Sequence, residues 1–234
     1  MAYEQLKEEV WQANRKLVEA GLVVHTWGNV SGANRREGVM AIKPSGVDYD
    51  DLRPGDIVVL SLETGATLEG ELRPSSDTPT HLILYQKFES VGGVVHTHSR
   101  YATGWAQACR EIPCLGTTHA DHFFGPVPLT RQLTPEEIEQ EYERNTGEVI
   151  VERFATQRLN PVEIPGVLVP SHGAFAWGES AMAALKNAII LEEVARMAFY
   201  TVLLDSNIGE LPDALLKKHY MRKHGPDAYY GQRN

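Results

Sequence analysis

Apolar positions recur at helical spacing from the start of the chain. Leu6, Val10, Ala13 and Leu17 fall between charged residues over positions 3–20, and Gly21 stands where a helix stop is wanted. The pattern predicts an amphipathic helix. Short apolar segments punctuated by Gly and Pro follow, and residues 38–42 and 56–62 read as strands, with Glu63-Thr64-Gly65 turning into a hairpin partner at 66–68. Past Ser75-Ser76-Asp77 a helix is predicted to reach Phe88, then a buried strand over 92–98 and a helix over 100–108. Thr134-Pro135-Glu136-Glu137 combines a capping hydroxyl, a proline at the first helical position and a glutamate three residues after the cap, so a helix opens there and continues into the 140s. Residues 166–170 form one more strand, 180–204 a long helix and 212–223 a last one. The sum is an α/β domain with a central, largely antiparallel or mixed sheet.

Composition narrows what this domain can do. At 234 residues and 42% hydrophobic content, one domain buries a sizeable core and no second is required. Ala188-Ile189-Ile190-Leu191 is cut by Glu192, Glu193 and Arg196, far short of the roughly 20 apolar residues of a membrane span, so no membrane partner is expected. The first residues, Met1 to Glu9, lack the basic flank and apolar run of a secretory leader, and a cytoplasmic location is expected. The two cysteines, Cys109 and Cys114, are expected to be reduced and inert. A net charge of −9 argues against a nucleic-acid partner, and an anionic substrate would need a local site built from a few donors.

His96-Thr97-His98 places two imidazoles on one face of a strand, about 6.6 Å apart along the chain, behind the apolar Val94-Val95. The pair can grip a cation, or be two hydrogen-bonded histidines at a strand end. His172 also follows an apolar strand and precedes a glycine, and three imidazoles with an open position describe a catalytic zinc site, the metal serving as Lewis acid. Asp77 is a further carboxylate ligand or an ordinary helix N-cap. His119 and His122 form a rival cluster, but Gly116, Gly125, Pro126 and Pro128 around them predict a loop. His25, His81, His219 and His224 have no partner at ligand spacing and read as surface or hydrogen-bonded core residues.

Lys43-Pro44-Ser45-Gly46 and Arg73-Pro74-Ser75-Ser76-Asp77 each combine a cation, a rigid proline, hydroxyls and a turn, and Trp27-Gly28-Asn29-Val30-Ser31 reads as a third turn of the kind. Each is an ordinary β-turn when taken alone. Backbone N–H groups in such turns make an anion site without surplus charge, and three of them beside a metal site point to phosphate.

These segments, with Gly116-Thr117-Thr118-His119-Ala120-Asp121 and the stretch from Lys218-His219-Tyr220 to Tyr229-Tyr230-Gly231, resemble the L-ribulose-5-phosphate 4-epimerases of the class II aldolase family over nearly the whole chain. The resemblance implies a single-domain α/β/α sandwich with a central, mainly antiparallel sheet. It implies a homotetramer with active sites between adjacent subunits, and Zn2+, or another divalent cation such as Mn2+ or Co2+, held by His96, His98 and His172. Gly28, Asn29, Ser45, Gly46, Ser75 and Ser76 would bind the sugar phosphate with Lys43 close by, and Asp121 and Tyr230 would exchange protons with it. Tyr230 otherwise reads as a frayed terminal residue. Aldolases of the family carry a glutamate base where this chain has Asp77, which favours epimerisation and leaves Asp77 as a metal neighbour or ligand. The alternatives are a sugar-phosphate aldolase and, in another class, a non-catalytic interaction module of the same fold.

Overall fold

The computed structural model describes residues 3–230; Gly231, quoted with the terminal tyrosines, lies outside them. The first amphipathic pattern folds as α1 (Glu4–Glu19), burying Leu6, Val10, Ala13 and Leu17. The strands are β1 (Gly28–Asn34), β2 (Val39–Ile42), β3 (Val58–Ser61), β4 (Thr67–Glu69), β5 (Gly93–Thr97), β6 (Gly166–Val169) and β7 (Gly173–Gly178). They form one sheet in the order β4-β3-β2-β1-β5-β7-β6, and every pairing between these strands is antiparallel. The remaining helices are α2 (Thr78–Lys87), α3 (Arg100–Gln107), α4 (Thr117–Ala120), α5 (Pro135–Gln157), α6 (Ala181–Leu204) and α7 (Asp213–His224).

The central strand shows how the two faces are used. In β1, Gly32 faces Leu6 and Val10 of α1, while its neighbour Ser31 faces the other way and meets His81 Nδ1 and the Tyr85 hydroxyl of α2, each at 2.7 Å. α1 and α6 cover the first face, and α6 reaches it through a small-residue stripe, Ala181, Ala184, Ala188 and Ala195. One contiguous core links both faces. α5 opens on the expected reciprocal cap, Glu137 N–H donating to Thr134 Oγ1 at 3.3 Å and Thr134 N–H to Glu137 Oε2 at 2.8 Å. None of the helices is long and apolar enough to cross a membrane among the described residues.

Two local expectations are corrected, and one strand was not expected. Residues 28–31 are part of strand β1 and not a turn; polar Asn29 and Ser31 are buried there because side chains of the 75–85 region bond them. β7, Gly-Ala-Phe-Ala-Trp-Gly, carries too few branched residues to announce itself as a strand. Residues 117–120 make a single helical turn, closed by Asp121 N–H donating to Thr117 O at 2.9 Å, where a loop was expected. Both cysteines are free, Cys109 exposed and Cys114 buried.

The exit of β5 toward α3 is fixed from outside. Glu192 of α6 accepts hydrogen bonds from Ser99 Oγ at 2.7 Å and from the backbone N–H of Tyr101 and Ala102 at 2.9 Å each, placing a carboxylate on the N-terminus of α3. Glu192→Ala should cost about 2 kcal/mol by the usual worth of hydrogen bonds to a charged group. The urea midpoint reads it, and an unchanged midpoint would deny Glu192 that role.

Candidate metal and anion site

The β5–β7 register builds the floor of the site. Asn29 of β1 pairs with His96 of β5, which pairs with Phe175 of β7, so all three lie side by side on the face that carries α2. His96 stacks flat on Phe175, centroids 4.2 Å apart, and its Nδ1–H donates to the carbonyl of Ala174 at 3.0 Å. A carbonyl can only accept, so neutral His96 keeps its free lone pair on Nε2. That atom stands 3.0 Å from His98 Nε2.

His172 arrives from the β6–β7 turn, where Ser171 takes the left-handed conformation (φ 58°) and His172 N–H donates to Val169 O at 3.1 Å. One ligating atom from each of His96, His98 and His172 lies within 4.8 Å of the others. Burial first, then the neighbouring His96 and His98, push His172 down to about 3, and burial also lowers His98. His98 and His172 are therefore neutral near pH 7, the form that ligates. Two glycines make the approach feasible: a Cβ on Gly173 would stand 2.6 Å from Thr97 O, and one on Gly28 (φ 123°) 2.8 Å from His96 O.

Asp77 occupies the N-cap position of α2, yet its side chain caps nothing. Its Oδ2 accepts from Asn29 Nδ2 at 2.6 Å instead, beside the imidazoles. Burial raises its carboxyl, but His96, His81 and the Asn29 hydrogen bond outweigh it and hold the group below its usual value. Three imidazoles with convergent nitrogens and an ionised carboxylate fit a divalent transition metal. Asn29 Oδ1 is buried without a partner, an acceptor at the cleft wall.

The cleft has a volume near 590 Å³, and its walls include Gly28, Asn29, Lys43, Ser45, Gly46, Ser75, Ser76, Asp77, His96, His98 and His172. The two turns in its wall are joined back to back, Ser45 N–H donating to Arg73 O at 2.9 Å and Ser75 N–H to Lys43 O at 3.0 Å. Those two N–H groups are thus engaged, which leaves the serine hydroxyls, Gly46 and Ser76 for an anion. Lys43 is buried, its ammonium donating to the carbonyls of Val47 and Pro44 over the Tyr49 ring; burial lowers it to about 8. It closes its own loop at the cleft edge.

Asp121 and Tyr230 do not line this cleft. Asp121 meets α7, accepting from Arg222 Nε at 3.0 Å, Arg222 Nη2 at 2.7 Å and His219 Nδ1 at 3.0 Å. Burial works against the ionised form, yet Arg222, His219 and Lys223 prevail and bring Asp121 down to about 2. Tyr230 is 59% exposed, its ring beside Arg222 and Lys223. Sequence patterns missed Tyr142 and Glu143, which reach the cleft because α5 kinks at Glu141 (φ −140°, ψ 62°). No residue type marks that kink. Of the two readings left open for His81, surface or hydrogen-bonded core, the structure shows the second: it is fully buried and bonded to Ser31.

Fold and site together define a class II aldolase-type enzyme: the chain belongs to the class II aldolase and adducin N-terminal domain family, whose model matches residues 8–199. It is 52% identical to the L-ribulose-5-phosphate 4-epimerases UlaF of Salmonella paratyphi A and Salmonella typhi, over 98% of this chain and 100% of each of theirs. Among solved structures it is similar to an L-fuculose 1-phosphate aldolase, with a TM-score of 0.78 and 27% identity over 93% of this chain and 95% of that one.

Tyr142 sets the third histidine. Its hydroxyl lies 3.2 Å from His172 Nδ1, which leaves the other ring nitrogen for a cation. Tyr142→Phe is expected to weaken metal affinity by about tenfold, as loss of an outer partner does, while the number of sites at saturation stays the same. Competition with a chromogenic chelator measures this, and equal affinity would mean that Tyr142 does not orient the ring.

Proposed function

We propose that this chain is a metal-dependent epimerase that interconverts L-ribulose 5-phosphate and D-xylulose 5-phosphate by opening and re-forming the C3–C4 bond. The carrying observation is the single cleft whose walls hold three imidazoles and Asp77 together with the paired serine-glycine turns. That combination suits a ketose bound by its oxygens and by its phosphate. The 52% identity to proteins named as epimerases supports the same reading. The intact histidine triad weighs against a non-catalytic module of this fold.

C4 is not adjacent to the carbonyl, so simple deprotonation cannot readily invert it, whereas breaking C3–C4 can. Zn2+, Mn2+ or Co2+ held by His96, His98 and His172, with Asp77 alongside, would supply Lewis acidity toward the ketose oxygens. One acid/base group takes the C4 hydroxyl proton as the bond opens to an enediolate and glycolaldehyde phosphate. Gly28, Asn29, Ser45, Gly46, Ser75 and Ser76 keep the phosphate in place while the aldehyde turns over. A second group, on the opposite face, returns a proton as the bond re-forms. Asp121 and Tyr230 take these roles, contributed by a neighbouring subunit of a homotetramer in the cytoplasm. Their position outside the cleft supports this, as does the apolar surface of Phe199, Leu203 and Tyr101 that borders a groove near 590 Å³.

Metal-loaded protein given L-ribulose 5-phosphate should yield D-xylulose 5-phosphate without accumulating free aldehyde. Chelation should stop turnover and added divalent ion restore it. Accumulating glycolaldehyde phosphate would make the chain an aldolase, and no turnover in the loaded protein would sink the enzymatic reading. Asp121→Asn and Tyr230→Phe should each keep metal and fold while cutting kcat by about 10²–10⁴-fold, the usual contribution of such groups. Co-refolding inactive Tyr230→Phe with inactive His98→Asn protomers should restore part of the activity. No recovery in verified mixed oligomers would place each site within one chain.

A further inference from the structure

We infer that Arg222 is a positioning residue that binds the two proposed proton-transfer groups into one unit, gripping the Asp121 carboxylate while carrying the Tyr230 ring on its guanidinium. This rests on the acid/base reading above. Arg222 Nε and Nη2 meet the two carboxylate oxygens at 3.0 and 2.7 Å, a fork-to-fork pair that fixes the orientation of the carboxylate as well as its place. The guanidinium carbon lies 4.7 Å from the centroid of Tyr230. The Arg222 carbonyl accepts from the N–H of Tyr229 at 3.0 Å and of Tyr230 at 3.2 Å, so the backbone that carries the phenol hangs from the same residue.

Exposure decides which partner depends on this most. Asp121 is 8% exposed and follows directly on α4, whereas Tyr230 is 59% exposed. Arg222 therefore transfers the fixed position of the carboxylate to the phenol. Other cations contribute charge without doing this. Lys223 Nζ lies 3.4 Å from Asp121 Oδ2 and 4.5 Å from the Tyr230 centroid, but an ammonium has no plane on which to stack and no fork. His219 bonds only the carboxylate, and His224 only the Asp121 carbonyl, at 2.9 Å. Two groups that must act on opposite faces of one aldehyde need a fixed separation, and small misplacements of reacting groups are costly in rate.

A double-mutant cycle tests the inference. Arg222→Gln should lower kcat by about 10²-fold, with KM changed by less than about threefold and metal content and urea midpoint unaltered. In an Asp121→Asn or Tyr230→Phe background the same change should cost less than about threefold, because the group it acts through is already gone. Arg222→Lys, which keeps the charge, should stay impaired. Normal kcat in Arg222→Gln, rescue by lysine, or a full multiplicative loss in both backgrounds would overturn the inference. A fall in the urea midpoint that accounts for the lost activity would overturn it too, by assigning Arg222 to the fold. If Asp121→Asn and Tyr230→Phe themselves turn over normally, the acid/base reading fails; if they are impaired and Arg222→Gln is not, only the positioning role fails.

Discussion

The antiparallel register of β5 against β7 is the constraint on which the candidate metal centre depends. It sets His96 opposite Phe175, so that the ring has a flat surface to stack on and a carbonyl, that of Ala174, to receive its Nδ1–H. A slip of one residue would send His96 to the α1 and α6 face and remove both partners at once. Gly173 protects the register, since any Cβ there would collide with Thr97 O. The tautomer of His96, the direction of its Nε2 lone pair and its approach to His98 all follow from this pairing. His172 follows as well, because the turn that carries it is anchored by the first residue pair of β6 and β7.

Legibility in the sequence tracked how far each feature was determined by neighbours along the chain. α1, α5 and α6 were readable because their apolar spacing and caps are local, and β5 because Val94-Val95 leads directly into the histidines. β1 was not, since Gly-Asn-Val-Ser-Gly-Ala-Asn has the composition of a turn. Its polar residues are tolerable in a central strand only because Asn29 meets Ser75 and Asp77, and Ser31 meets His81 and Tyr85, about fifty positions away. Tyr142 was hidden for a related reason: a helical residue reaches the cleft through a backbone kink that no side chain announces. The eleven cleft residues were found partly from spacing and partly through the family resemblance, and the fold gathers all of them. Spacing gave the histidines. Asp121 and Tyr230 came from the resemblance alone.

In an acidic chain the proposed phosphate site has to be built locally, and the means available are geometric. The cleft's nearest cation, Lys43, is directed to carbonyls of its own loop, and Arg73 does not line the cleft. What remains are serine hydroxyls and glycine turns, donors whose strength comes from being fixed in place, since both hydrogens of the Asn29 amide go to Ser75 and Asp77. The joined 43–46 and 73–77 turns provide that fixity, and the same hydrogen bonds that consume Ser45 and Ser75 N–H groups hold the hydroxyls in place. The orientation of the Asn29 amide is likewise dictated by chemistry, because its Nδ2 donates to the ionised Asp77 and a reversed amide would set oxygen against oxygen.

The protein thus carries two polar centres. At the cleft, the ionised Asp77 is met by the Asn29 amide and, among the described residues, by no Lys or Arg; at the α4–α7 end, Asp121 is met by Arg222, His219 and Lys223. The second centre is electrostatically closed within its own chain and can form before assembly without the penalty of an unpaired buried charge. The division also separates their demands. Metal ligands require the rigidity of a sheet register, whereas two groups proposed to act on opposite faces of a turning aldehyde benefit from sitting on a separate element whose position is set by a few directional bonds. The bidentate grip of Arg222 on Asp121 meets that requirement, since it fixes orientation at the end of a tail that the core does not reach.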